Sequence, residues 1–239
     1  MTRSVPRVLP YLAVALAASS WGTWPLLLRH AEASGPMPAA LESAVVMASI
    51  TALSGALSVR DRAPRSATLR ERAWVTWMGI SDALNVLLFF AAYKITITVA
   101  VLTHYLMPVL VAVAAPLVLK EMPTRRTLFA VVASLSGLFA MLGRSPSAGG
   151  GAAVWWSAAL GAASATFYAS NVIVNKFVIE AFSTSEVMFW HGVIATPLLA
   201  AFVPREAWGQ ISPHGVLFLA LVATGPGALA GLAFVWGLR

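Results

Sequence analysis

The chain has no cysteine, and only 10% of its 239 residues are charged. The first absence excludes disulfides and thiolate metal sites. The second excludes an ordinary soluble domain, where about 25% of residues are charged and about 45–50% are apolar. The sequence motifs of familiar enzymes are missing as well. There is no His-Glu-x-x-His zinc pair, no Gly-x-Ser-x-Gly elbow, no phosphate-binding loop and no Cys and His nucleophile pair. The expectation is a protein that is not an enzyme, carries no cofactor or metal, and has nothing of its own with which to hydrolyse ATP.

Apolar residues fill the space the charges leave. They make up 59% of the chain, and the mean hydropathy is +0.80. They are gathered into runs near 20 residues long, each enough to carry a helix across a ~30 Å hydrocarbon layer at about 1.5 Å per residue. Eight such runs are read, at 8–28, 38–58, 73–93, 98–119, 126–143, 153–175, 186–203 and 214–237. Long runs rich in Ala and Leu specify helices, whereas an outer-membrane barrel shows short alternating segments. Arg3 and Arg7 ahead of the first run, with Ala31-Glu32-Ala33 near its end, have the outline of a secretory signal. The run is long for a signal core, however, and Trp21, Trp24 and Pro25 give it the character of the later span around Phe167 and Tyr168.

The formal net charge is +7. In a soluble protein this would suggest nucleic acid, but here it sorts by loop. Arg3, Arg7, Arg60, Arg62, Arg65, Arg70, Arg72, Lys120, Arg125, Arg126, Lys176 and Arg239 fall on one side, and only Arg29, Lys94, Arg144 and Arg205 on the other. The positive-inside rule then puts both termini in the cytoplasm, with Arg60 to Arg72 as the main anchor facing anionic lipid headgroups. Membrane lipids, and no nucleic acid, are the partners this distribution calls for.

The stretch Leu87 to Lys94 returns in character as Leu232 to Arg239, 145 residues on, with two of eight residues identical. Ala18 to Thr23 likewise faces Ser164 to Ala169, and Ala83-Leu84 faces Ala228-Leu229. Five spans precede the Pro, Ser and Gly stretch Arg144 to Gly151. An odd number of crossings starts the second copy on the opposite face, so the copies are inverted, as in many secondary transporters. The expected fold is all-α: a multi-pass helical membrane protein of two inverted five-helix repeats, the second incomplete, with about eight spans instead of ten. Residues 1–143 form the first repeat, 144–152 the linker, and 153–239 a second repeat of three helices.

The run Ala100-Val101-Leu102-Thr103-His104-Tyr105-Leu106-Met107-Pro108, with Glu121 thirteen residues after Pro108 and then Gly137, resembles the end of the five-helix repeat of EamA-type transporters. Trp21-Gly22 resembles the opening of that repeat. The resemblance, to a family in the drug/metabolite transporter superfamily, covers the first 143 residues well and 153–239 partly. It implies ten spans, so the second Pro-to-Glu element is absent after Arg239. It also implies a basic residue early in the second helix, where Glu42 to Met47 has none.

Several polar residues lie within the apolar runs. Asp82 is near the middle of the third span, where a carboxylate costs about 2.5–3.5 kcal/mol on insertion scales. It is read as a proton or cation relay, as a protonated acid tied to Asn85, one turn along the same face, and to a neighbouring helix, or as a residue that snorkels toward the membrane surface. Pro108 lacks the N–H that would reach the carbonyl of His104, which leaves that oxygen beside an imidazole within the membrane. In the sixth span Tyr168, Asn171 and Asn175 fall at i, i+3 and i+7, a polar stripe that serves either a solute or interhelical packing. Trp21 and Trp24 are its counterparts by repeat position. His191 is more isolated and reads as a satisfied structural group. Glu121 is read as a surface ion pair with Arg125. Gly227 to Gly231 is a small-residue packing motif and Ala133 to Gly137 a looser one. Both leave open whether the contact lies within the subunit or between the subunits of a homodimer.

The leading expectation is a secondary transporter and exporter in the bacterial cytoplasmic membrane, moving small metabolites, amino-acid-like compounds or drugs by alternating access. A midplane cavity would be lined by the first, third, fourth and sixth spans. Trp21, Trp24, Asn85, His104, Pro108, Tyr168 and Asn171 are the expected substrate contacts. Asp82 and His104 are expected to couple transport, with protons as the ion. The alternatives are a truncated or transport-inactive relative that functions after oligomerising, and a non-transport membrane protein.

Overall fold

The computed structural model describes residues 8–35, 37–63, 65–142, 151–209 and 212–237, and among these every regular element is a helix. In chain order they are α1 (Val8–Gly22), α2 (Trp24–Glu32), α3 (Ala39–Ser58), α4 (Leu69–Ile95), α5 (Ile97–His104), α6 (Met107–Val118), α7 (Arg125–Leu142), α8 (Ala152–Val178), α9 (Thr184–Ala201), the short α10 (Arg205–Trp208), α11 (Pro213–Val222), a π-helical turn (Ala223–Leu229) and α12 (Ala230–Gly237). Among the described residues six segments are long and apolar enough to cross a membrane: Val8–Glu32, Ala39–Ser58, Leu69–Ile95, Ile97–Val118, Ala152–Val178 and Pro213–Gly237. The remaining two expected spans are the helices α7 and α9, each 18 residues long. The expected linker lies outside the described residues as far as 150, and so do Arg3, Arg7, Arg144 and Arg239.

Three expected spans are interrupted, each beside a proline. The first is not one helix over 8–28. It stops at Gly22 and restarts at Trp24, with Pro25 in the first turn of α2, and runs on to Glu32. The fourth pauses at Tyr105 and Leu106 because Pro108, in the first turn of α6, cannot donate to the carbonyl four residues back. In the last span Pro226 opens the ladder into a π turn. Within a membrane, breaks of this kind persist only where other groups take up the freed backbone. Ser20 Oγ donates to the carbonyl of Pro226 over 3.4 Å.

The chain divides into two compact units: Met1–Gly79 with Val178–Arg239, built from its two ends, and Ile80–Phe177, its middle. In the first unit α3 packs along α9, and α1 along α12. Gly192 lets α3 and α9 approach closely: a Cβ there would strike Thr51 Oγ1 and come within 3.1 Å of the carbonyl oxygen of Met47. The small-residue motif at the end of the chain is used within the subunit. Gly227 faces the ring of Trp24, and Gly231 faces Met188 Cε. At the start of α9 a capping box joins Ser183 to Glu186. Glu186 also accepts from Ala63 N at 3.0 Å, and Ser185 Oγ donates to Asp61 Oδ2 at 2.9 Å, so the loop after α3 is fastened to this helix end.

The second unit holds α4 from Ile80 onward, α5, α6, α7 and α8 up to Phe177. Along α8 one face carries Ser157, Gly161, Ser164, Tyr168, Asn171 and Asn175, with steps alternating between four and three residues. That spacing keeps them on a single side of the helix. Ser157 Oγ donates to the carbonyls of Ala92 and Thr96 at 3.0 and 3.2 Å, where α4 ends and α5 begins. Gly161 admits α5: a Cβ there would strike Thr103 Oγ1 and lie 3.0 Å from the carbonyl of Ala100. Beyond the last turn of α6, Lys120 adopts a left-handed conformation (φ 58°). Glu121, next along, pairs with Lys176 Nζ at 3.0 Å and not with Arg125. Arg125 opens α7, whereas Lys176 lies in the last turn of α8, so the pair joins two elements 55 residues apart in sequence.

Candidate functional site

Three helices of the second unit supply one connected set of polar side chains. From α4, Asn85 Nδ2 donates to Asp82 Oδ1 at 3.1 Å, the contact expected for residues one turn apart. From α8, Asn171 Nδ2 donates to the same oxygen at 3.3 Å. Also from α8, Ser164 Oγ lies 2.8 Å from both the backbone carbonyl and Oδ1 of Asn85. At the C-terminal end of α5, His104 Nδ1 lies 2.9 Å from Ser164 Oγ. Ser81 Oγ adds a bond to the carbonyl of Phe167 at 3.0 Å, fixing α4 against α8 beside the cluster.

The bonds settle the direction of the donors. A serine hydroxyl has one proton. Both of Ser164's partners on Asn85 are carbonyl oxygens, so that proton goes to Asn85. His104 must then donate from Nδ1, and in the neutral ring this leaves Nε2 as the acceptor nitrogen. The donors run in one sense: His104 to Ser164, Ser164 to Asn85, Asn85 to Asp82, with Asn171 joining at Asp82. Aromatic rings enclose this chain. His104 stacks on Tyr168 with centroids 5.4 Å apart and planes 13° apart, and Phe89 lies 4.8 Å from the imidazole.

Burial makes these contacts matter. Ser164 is fully buried, and Asn85, Asn171 and Asn175 are 7%, 6% and 4% exposed. Two buried acceptors on α8 receive no hydrogen bond: Asn171 Oδ1 and Asn175 Oδ1. Among the described residues no group of three or more His, Cys, Asp or Glu side chains could hold a metal ion.

Of the residues singled out in the sequence, Asp82, Asn85, His104, Tyr168 and Asn171 share this cluster, and Pro108 stands at the start of the helix that follows His104. Trp21 and Trp24 belong to the first unit. There Trp21 packs on Phe234 with centroids 5.2 Å apart, and Trp24 is buried against Gly227. His191 is also in the first unit, buried in α9. Ser164, the hinge of the hydrogen-bond chain, was not singled out. Its signal lay in the heptad-like spacing that links it to Ser157 and Asn171.

The model of the EamA-like transporter family matches residues 8–143. No curated protein matches the chain. A solved crystal structure of a protein 19% identical in sequence superposes with a TM-score of 0.70, covering 96% of this chain and 79% of the other, which speaks for a shared fold. The match takes in the Trp21-Gly22 opening, Asp82, and the His104 to Glu121 element, and on it the chain belongs to the EamA-like transporter family of the drug/metabolite transporter superfamily.

Proposed function

We propose that this membrane transporter is a secondary exporter in the bacterial cytoplasmic membrane. It moves small metabolites, amino-acid-like compounds or drugs by alternating access between inverted repeats, with both termini cytoplasmic. The observation that carries the reading is the setting of Asp82. A carboxylate placed within a candidate span receives amide donors from two different helices, Asn85 on α4 and Asn171 on α8. An ionisable group kept at that depth marks a substrate or ion path by default. In this reading Asp82 binds the coupling proton, and the chain through Asn85 and Ser164 keeps His104 responsive to it.

The repeat reading has its own support. In an inverted pair, residues near the two-fold axis meet their own equivalents. Thr51 and Thr196 touch at a separation of 145 residues, the offset at which Leu87 to Lys94 returns. The test is flux in proteoliposomes under an imposed pH gradient. Asp82→Asn abolishes gradient-driven transport while leaving the protein folded and reconstituted. Wild-type rates in that variant at every pH would remove Asp82 from the coupling.

A further inference from the structure

The polar cluster of the second unit leaves two buried amide oxygens unanswered. The Nδ1–H of His104, the hydroxyl of Ser164 and one N–H from each of Asn85 and Asn171 run along the hydrogen-bond chain toward Asp82, as set out above. At the far side of that chain Asn171 Oδ1 and Asn175 Oδ1 are buried and receive nothing. Asn171 cannot turn its amide round to correct this, because its Nδ2 is held by Asp82. The two asparagines are one turn apart on the same face of α8, so their side chains are neighbours. In its neutral form, with the proton on Nδ1, His104 offers Nε2 as a further acceptor. The apolar segments supplying these groups, 80–93, 97–118 and 152–175, contain neither lysine nor arginine. A buried polar group left without a partner calls for an explanation, and a bound ligand supplies one.

We infer that this cluster binds a protonated primary amine whose N–H groups donate to Asn171 Oδ1 and Asn175 Oδ1 while its charge faces Asp82. The stacked rings of His104 and Tyr168, with Phe89, offer an aromatic wall for the organic part of such a solute. An anion would meet acceptors and a carboxylate. A quaternary ammonium would carry the right charge but leave both amide oxygens unanswered. The inference deepens the transporter reading, because it names the chemical class of solute the same cluster accepts.

The test is equilibrium binding to the purified full chain in detergent at neutral pH, by calorimetry, with four probes of one shape. These are 2-phenylethylamine, its N,N,N-trimethyl analogue, 2-phenylethanol and 3-phenylpropanoate. The primary amine binds; the trimethyl analogue binds about tenfold more weakly, as expected for lost hydrogen bonds to buried acceptors; the alcohol and the carboxylate do not bind measurably. Asn175→Leu weakens the amine about tenfold and leaves the trimethyl analogue within about twofold, and Asn175→Asp, which restores an acceptor oxygen, recovers the amine. Comparable binding of the carboxylate or the alcohol overturns the inference, as does an amine affinity unchanged in both Asn171→Leu and Asn175→Leu, or no binding of the amine at all. The probe series on the unaltered chain decides the matter even if a variant fails to fold. Gradient-driven flux of another solute in vesicles would then leave the transporter reading standing.

Discussion

Thr51 and Thr196 bring their side-chain hydroxyls within 3.5 Å of each other across the α3 and α9 contact, although 145 residues separate them in the chain. Met47 and Gly192, also 145 apart, meet one turn away in the same interface. Because the chain has no cysteine of its own, this pairing can be read without background. The double variant Thr51→Cys with Thr196→Cys is expected to form an intramolecular disulfide on mild oxidation, measured as loss of maleimide labelling that a reductant restores. Both thiols staying reactive after oxidation would contradict the α3 and α9 packing.

Gly192→Ala tests the same contact from its backbone side. The added Cβ meets Thr51 Oγ1 and the carbonyl of Met47, and the carbonyl cannot move without bending α3. A loss of about 1–3 kcal/mol is expected, as for overpacking in a close-packed interior. Thr51→Ala removes the nearest of the three obstructing atoms, Oγ1, while the Cβ of residue 51 stays 2.8 Å away. It should restore part of that loss, a coupling visible as non-additive melting temperatures in detergent. Additive values would mean that Thr51 is not the obstacle.

The donor chain fixes the histidine tautomer. In the unaltered protein the proton of the neutral His104 ring sits on Nδ1, because Ser164 Oγ can only accept from it. Nitrogen-15 NMR of labelled histidine should show that tautomer. Ser164→Ala should abolish the preference and lower stability by roughly 0.6–2 kcal/mol, the range for interhelical polar contacts in membranes. A spectrum indifferent to Ser164→Ala would break the proposed line from His104 to Asp82.

The start of α9 gives a prediction about stability alone. Ser183 accepts from Glu186 N and donates to the backbone carbonyl of Asp61, so Ser183→Ala removes a cap and an anchor together. The expected loss is about 1–2 kcal/mol. Hydrogen exchange should quicken at Ala63, whose N–H is held by Glu186. Transport per folded molecule is expected to stay near normal, because no residue of the Asp82 cluster is touched.

What the sequence made legible follows from which forces are local. The long apolar runs place the helices, and Asp82 with Asn85 could be paired because one turn of helix brings them together. The stripe of Tyr168, Asn171 and Asn175 was visible by the same logic. Ser164 and Gly161 carry a weaker signal, because in an Ala-rich helix a small residue reads as packing, and only the neighbouring helix reveals that one donates and the other makes room. Glu121 shows the opposite error. Proximity in sequence favoured Arg125, whereas the turn at Lys120 and the end of α8 deliver Lys176, which no local pattern announces. Hydropathy carries no mark of the π turn at Pro226, since the run around it is apolar throughout.

The division of the chain into one contiguous unit and one assembled from both ends has a consequence for biogenesis. As the nascent polypeptide leaves the ribosome, the segment from Ile80 to Phe177 has all its own partners once α8 has been made. The α3 contact with α9 must wait until translation has passed Ala201. Until then the inserted α3 presents Gly55, Thr51 and the carbonyl of Met47 to the bilayer or to whatever insertase attends it, so the order of synthesis exposes one unit longer than the other.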